Sequence, residues 1–128
     1  MPINSNITQA INTYNIQNWS EGYFDINENG EVVVFPTGER NYAGINLNEL
    51  TEFILQSGLS LPILIRFTDI LKHRVNTLRD AFLKAIQRFE YAGHFTGVYP
   101  IKVNQRYHVI EEILLSGKPH VGIAAGST

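Results

Sequence analysis

The second half of this chain alternates in a way that few folds can satisfy. Three short apolar runs, "LPILIRF" (Leu61–Phe67), "GVYPIKVNQ" (Gly97–Gln105) and "HVGIAAGST" (His120–Thr128), are separated by two stretches of helical spacing. Leu71, Val75, Leu78, Phe82, Ala85 or Ile86, and Phe89 recur at steps of three and four, which puts them on one face of a helix running to about Glu90. Thr68 or Asp69 is placed to cap its start and Gly93 to end it. "RYHVIEEILLSG" (Arg106–Gly117) predicts a second helix with Val109, Ile110, Ile113 and Leu114 inward. Asp80 and Lys84 lie one turn apart, a spacing that lets them pair for a few tenths of a kcal/mol. Strand and helix in turn point to parallel α/β structure, because parallel strands need a crossover long enough to hold a helix.

The first half is different. Residues 1–13 are polar and predict only a lead-in. "GYFDINENGEVVVFP" (Gly22–Pro36) predicts a β-hairpin, with Asn27–Gly30 supplying the turn. Trp19, Tyr23 and Phe24 are its expected core aromatics. After a loop over Pro36–Gly44, "NLNELTEFILQSG" predicts a short helix capped by Asn46 or Asn48, with Gly58 just past its end. Leu47, Leu50, Phe53 and Ile54 fall at helical spacing.

The 128 residues suffice for one modest domain with a core. With 44% hydrophobic and 17% charged residues and a formal net charge of −2, the composition is that of a soluble globular chain. No basic block points to nucleic acid, and no apolar run approaches the length of a membrane span. The first residues show no basic-then-apolar signal pattern. The absence of cysteine excludes disulfides and thiolate zinc sites and fits a cytoplasmic location. His73, His94, His108 and His120 lack metal-ligand spacing, so surface or capping roles are expected and no metal ligand is assigned. Arg66 is read as a charge ending a strand. "GIAAGST" lacks the pattern of a phosphate-binding loop, and no Ser–His–Asp set can be assembled.

One residue does not belong to this bland picture. Lys102 stands inside the apolar run Gly97–Gln105, and lysine is among the side chains least often buried without a partner. Strand alternation puts Val98, Pro100 and Lys102 on one face and Tyr99, Ile101 and Val103 on the other. In a β/α barrel the first face lines the lumen, and barrel enzymes carry their active sites at the C-terminal ends of the strands. Partial desolvation there favours the neutral amine, the form that attacks an aldehyde. Pro100 cannot donate to a ladder, so it fits best at a gap or bulge. Taken alone, an exposed or snorkelling lysine is the commoner meaning of such a pattern.

"GVYPIKVNQ", preceded by "LPILIRFTDILKHRVNTLRDAFLKAI" and "YAGHFTG", resembles the biosynthetic arginine decarboxylases of bacteria and plants. "WSEGYFDINENGEVVVFP" resembles the start of the same family, and "VIEEILLSGKPHVGIAAGS" resembles the segment on the C-terminal side of its lysine. The likeness runs from about Tyr14 to the C-terminus, with several segments in family order. It implies an α/β fold: a β-rich N-terminal segment with a short helix over residues 1–60, then the first βα units of an incomplete (β/α)8 barrel over 61–128. It implies pyridoxal 5'-phosphate as cofactor, Lys102 as its Schiff-base lysine with Pro100 beside it, and Mg2+ as a second cofactor. The implied reaction turns L-arginine into agmatine and carbon dioxide, in polyamine (putrescine and spermidine) biosynthesis, in an enzyme that self-associates. Two departures stand out. Ala124 replaces the glutamate of the family's "GLEAGSK", and Thr128 replaces its lysine. A whole barrel needs about 250 residues, so the phosphate anchor, the acid for the pyridine nitrogen and the guanidinium site are expected beyond Thr128. The expectation is therefore a fragment inactive by itself. The alternative is a ligand-binding or interaction module that keeps the fold without the chemistry.

Overall fold

The antiparallel and the parallel patterns of this chain form separate sheets among the described residues. In a computed structural model, which describes residues 5–40, 42 and 44–126, the chain divides into units Met1–Arg66 and Phe67–Thr128.

The first unit contains α1 (Ser5–Thr13), α2 (Ile16–Trp19), β1 (Phe24–Ile26), β2 (Val32–Val34), β3 (Ile45–Asn46) and α3 (Leu47–Gln56). The expected lead-in is thus largely a helix. Ile7, Ala10 and Ile11 make a narrow apolar stripe, and Ile7 is buried, which suffices once a sheet lies beneath it. The hairpin forms as expected, with Phe24 opposite Val34 and Ile26 opposite Val32. Its turn is fixed by Asn27, whose Oδ1 accepts from Asn29 N at 3.0 Å and Glu31 N at 2.9 Å, and by Gly30 at φ +83°. The two-residue β3 pairs antiparallel with β2. Gly44 precedes it at φ +77°, where an added Cβ would sit 2.4 Å from Val33 Cγ1, so only glycine fits. The core gathers Ile7, Ile16, Tyr23, Val33, Val34 and Phe35.

One aromatic expectation fails here. Trp19 is 56% exposed: its indole N–H donates to Tyr14 O at 3.0 Å at the surface, and only one side of the ring leans on Phe24. Phe53 is 69% exposed, because α3 packs on a sheet of three short strands that covers just the half-buried Leu47, Leu50 and Ile54. The cap is as expected: Asn46 Oδ1 accepts from Asn48 N at 2.9 Å and Glu49 N at 3.4 Å. Gly58 lies past the helix end at φ +91°. The run Leu61–Phe67 is not a strand. Apolar composition supplies propensity, but a strand needs a ladder partner, and the run pairs with no described residue.

The second unit contains α4 (Thr68–Arg88), β4 (Gly97–Pro100), a 3-10 turn (Ile101–Val103), α5 (Tyr107–Gly117) and β5 (Val121–Ala124). β4 and β5 are parallel, from Gly97 opposite Val121 to Pro100 opposite Ala124, so the expected alternation holds as one β–α–β unit. Neither Thr68 nor Asp69 caps α4: Phe67 occupies that position without a side-chain bond, and Asp69 lies in the first turn, where a carboxylate suits the positive end of the helix dipole. The helix ends before Gly93. Glu90 takes φ +49°, and Tyr91 N donates to Ile86 O at 3.0 Å. Asp80 accepts from its neighbour Arg79 at 2.8 Å rather than from Lys84. Ile113 of α5 is buried.

Candidate functional site

Lys102 is held by the junction between β4 and α5. The strand ends at Pro100, which has no N–H to extend the ladder and whose φ of −76° and ψ of 108° pass the chain into the 3-10 turn. Lys102 is the middle residue of that turn, two positions beyond the last strand residue, where the sequence pattern had continued the strand to Gln105. Alternation holds as far as Pro100: Gly97 and Tyr99 are half-buried, Val98 and Pro100 exposed. It fails at Val103, which is 70% exposed because a 3-10 turn does not have a two-residue period.

Lys102 is itself exposed, so its desolvation, expected from the strand pattern, is not supplied by this chain. Its turn is bracketed by two polar contacts. Tyr99 Oη donates to Asn104 O at 3.5 Å across the turn. Asn104 Oδ1 accepts from Arg106 N at 3.1 Å, a local turn just ahead of α5, whose N-cap residue Arg106 makes no side-chain cap bond. Further along, Tyr107 Oη donates to Glu111 Oε1 at 2.8 Å, and that bond, with the carboxylate's charge, pushes the phenol's pKa up. Ala124 ends the neighbouring strand in register with Pro100 and brings no carboxylate there. Thr128 lies outside the described residues.

On the helix side of the sheet is a cavity of about 200 Å³, lined by Leu71, Val75, Phe95, Tyr99, Ile113 and Val121 among others; Lys102 does not line it. No group of three or more His, Asp or Glu able to hold a metal occurs among the described residues, and Arg66 is exposed in an irregular segment. No helix among them is long and apolar enough to cross a membrane. The donor set therefore meets one requirement of an aldehyde cofactor, a primary amine just past the C-terminal end of a parallel strand. Strand alternation alone did not mark Tyr99 and Asn104 as parts of this junction, although an asparagine just ahead of a helical stretch is a capping signal.

No family model matches the chain. It is 45% identical over 128 residues to the biosynthetic arginine decarboxylase of Shewanella halifaxensis and 50% identical over 123 residues to that of Marinobacter nauticus, matches that cover 97% and 92% of this chain. Over nearly all of its length the chain is similar to biosynthetic arginine decarboxylases. It spans about a fifth of the length of these relatives, 20% and 19%. The crystal structure of the biosynthetic arginine decarboxylase SpeA from Campylobacter jejuni superposes with a TM-score of 0.71 at 28% identity, over 86% of this chain and 18% of that one. Helices and strands of this chain thus resemble the backbone of that enzyme over most of this chain.

Proposed function

We propose that the chain is the N-terminal part of a pyridoxal-phosphate-dependent arginine decarboxylase, and that Lys102 is the amine that holds the cofactor's aldehyde carbon. The observation that carries this is the place of Lys102, just past the C-terminal end of a parallel strand and ahead of a crossover helix, in a chain 45–50% identical to decarboxylases. On this reading β4, α5 and β5 belong to the opening of a β/α barrel, with Val98 and Pro100 toward the lumen. When bound, pyridoxal phosphate supplies an electron sink for the charge left as the α-carboxylate departs as carbon dioxide. Lys102 Nζ would hold that group through its aldehyde carbon and, when free, would hold a proton at the same place. Mg2+ belongs to the proposal with no ligand assigned from this chain. So do a cytoplasmic location, self-association and inactivity of the 128 residues alone.

The test is a chimera in which this chain replaces the matching fifth of the Marinobacter nauticus enzyme. The expected result is agmatine from L-arginine, a yellow protein, and borohydride trapping at Lys102; Lys102→Ala abolishes all three. A folded chimera with no adduct at Lys102 overturns the proposal. A second reading, a binding module without turnover, is favoured by Ala124 where the family resemblance expects glutamate. An adduct at Lys102 with no agmatine would select it.

A further inference from the structure

We propose that Tyr99 is a positioning residue for the Lys102 amine: its hydroxyl staples shut the 3-10 turn on which the lysine stands. This rests on the role proposed for Lys102 as the cofactor-holding amine. The tyrosine is anchored twice before its hydroxyl does anything. Its backbone is in the ladder opposite Ile123, and its ring lines the cavity with Val75 and Ile113 of the two helices. From that fixed base Oη reaches the carbonyl of Asn104, the residue that leaves the turn. The entrance to the turn is set by Pro100, whose ring confines φ. Its exit has the Tyr99 bond and, one step on, the Asn104 side chain on Arg106 N. Lys102 lies midway between a stiff entrance and a tied exit.

The staple matters because Lys102 gains nothing else from its surroundings. Lys72, Lys84, Lys102 and Lys118 are all exposed, so burial does not single one out. What Lys102 has is a backbone held at both ends, and a long flexible side chain is best aimed by fixing its Cα.

Tyr99→Phe keeps the ring and removes the hydroxyl. Amide hydrogen exchange on the 128-residue chain reads the staple without any cofactor. At 3.5 Å the bond is a long one, so Lys102–Arg106 amides should exchange about threefold faster, the low end for losing one hydrogen bond. Amides of the β1–β2 hairpin serve as the folding control and should not change. In the chimera, the same substitution should raise the dissociation constant for pyridoxal phosphate about threefold, with the melting temperature unmoved. Unchanged exchange across Lys102–Arg106 overturns the staple, whatever the chimera does. Changed exchange with no loss of cofactor affinity overturns its positioning role. Failure of the unsubstituted chimera to trap pyridoxal phosphate at Lys102 overturns the functional reading instead and leaves the exchange result standing.

Discussion

The side-chain amide of Asn46 bonds at both of its ends. Its oxygen caps α3, and its nitrogen donates to Glu31 Oε2 at 2.6 Å, beside a second donor, Asn27 Nδ2, at 2.9 Å. Hydrogen bonds from Asn27, then Asn46, hold the Glu31 carboxyl below its ordinary pKa, against an opposing effect of burial. A carboxyl whose folded value is depressed stabilises the fold above its unfolded value. That contribution fades as pH falls through the lower folded one. Asn46→Ala should therefore raise the Glu31 titration toward the ordinary glutamate range, measured by carboxyl NMR, and lower the denaturant-derived stability of the first unit by about 1 kcal/mol through the lost cap. Gly117 makes a steric prediction. An added Cβ would lie 2.3 Å from Val121 Cγ2 and 2.4 Å from Val121 Cβ. Gly117→Ala should cost about 1–3 kcal/mol in the second unit by chemical denaturation, and Val121→Ala should not rescue it, since the Cβ itself is in the way. At this scale the sequence showed Asn46, whose short polar side chain before a helix has few other uses. It did not show that Trp19 stays at the surface, because that depends on a carbonyl, Tyr14 O, fixed only once α1 and α2 exist.

Elements were legible where period and punctuation agreed. The β1–β2 hairpin, α3 and α5 fell where Asn-Gly chemistry, an asparagine cap and an apolar stripe put them. The β3 strand was missed because two residues hold no period, and α1 because Ile7, Ala10 and Ile11 are a thin signal. Leu61–Phe67 was over-read: apolar spacing describes a residue's wish for cover, not the partner that makes a strand. The same gap between propensity and cover marks α4. Its stripe has the expected spacing, yet no residue on it is buried, and Leu78 is 57% and Phe89 74% exposed. Such a face should drive concentration-dependent association of the isolated chain. Sedimentation equilibrium should show it, and Leu78→Lys with Phe89→Lys should shift the chain toward monomer. A monomer at all concentrations would mean that the stripe is not sticky.

For the whole molecule, the parallel half was legible as α/β because alternation is a long-range pattern carried by many residues at once. The candidate site was legible only as a residue type in an odd place. Lys102 stood out as a lysine in an apolar run, but the turn beneath it and the tyrosine contact across that turn did not, since a 3-10 turn and a tie between residues five apart leave no periodic trace. At this scale the prediction concerns chemistry: Lys102→Ala in the chimera should abolish agmatine formation while leaving the melting temperature of the protein unchanged, because an exposed side chain carries little of the packing.

The two sheets each close within their own half of the sequence, on either side of Arg66–Phe67. A gene cut between those codons severs no ladder and no helix. Recombination at that point would leave every described ladder and helix whole, each inherited from one parent sequence.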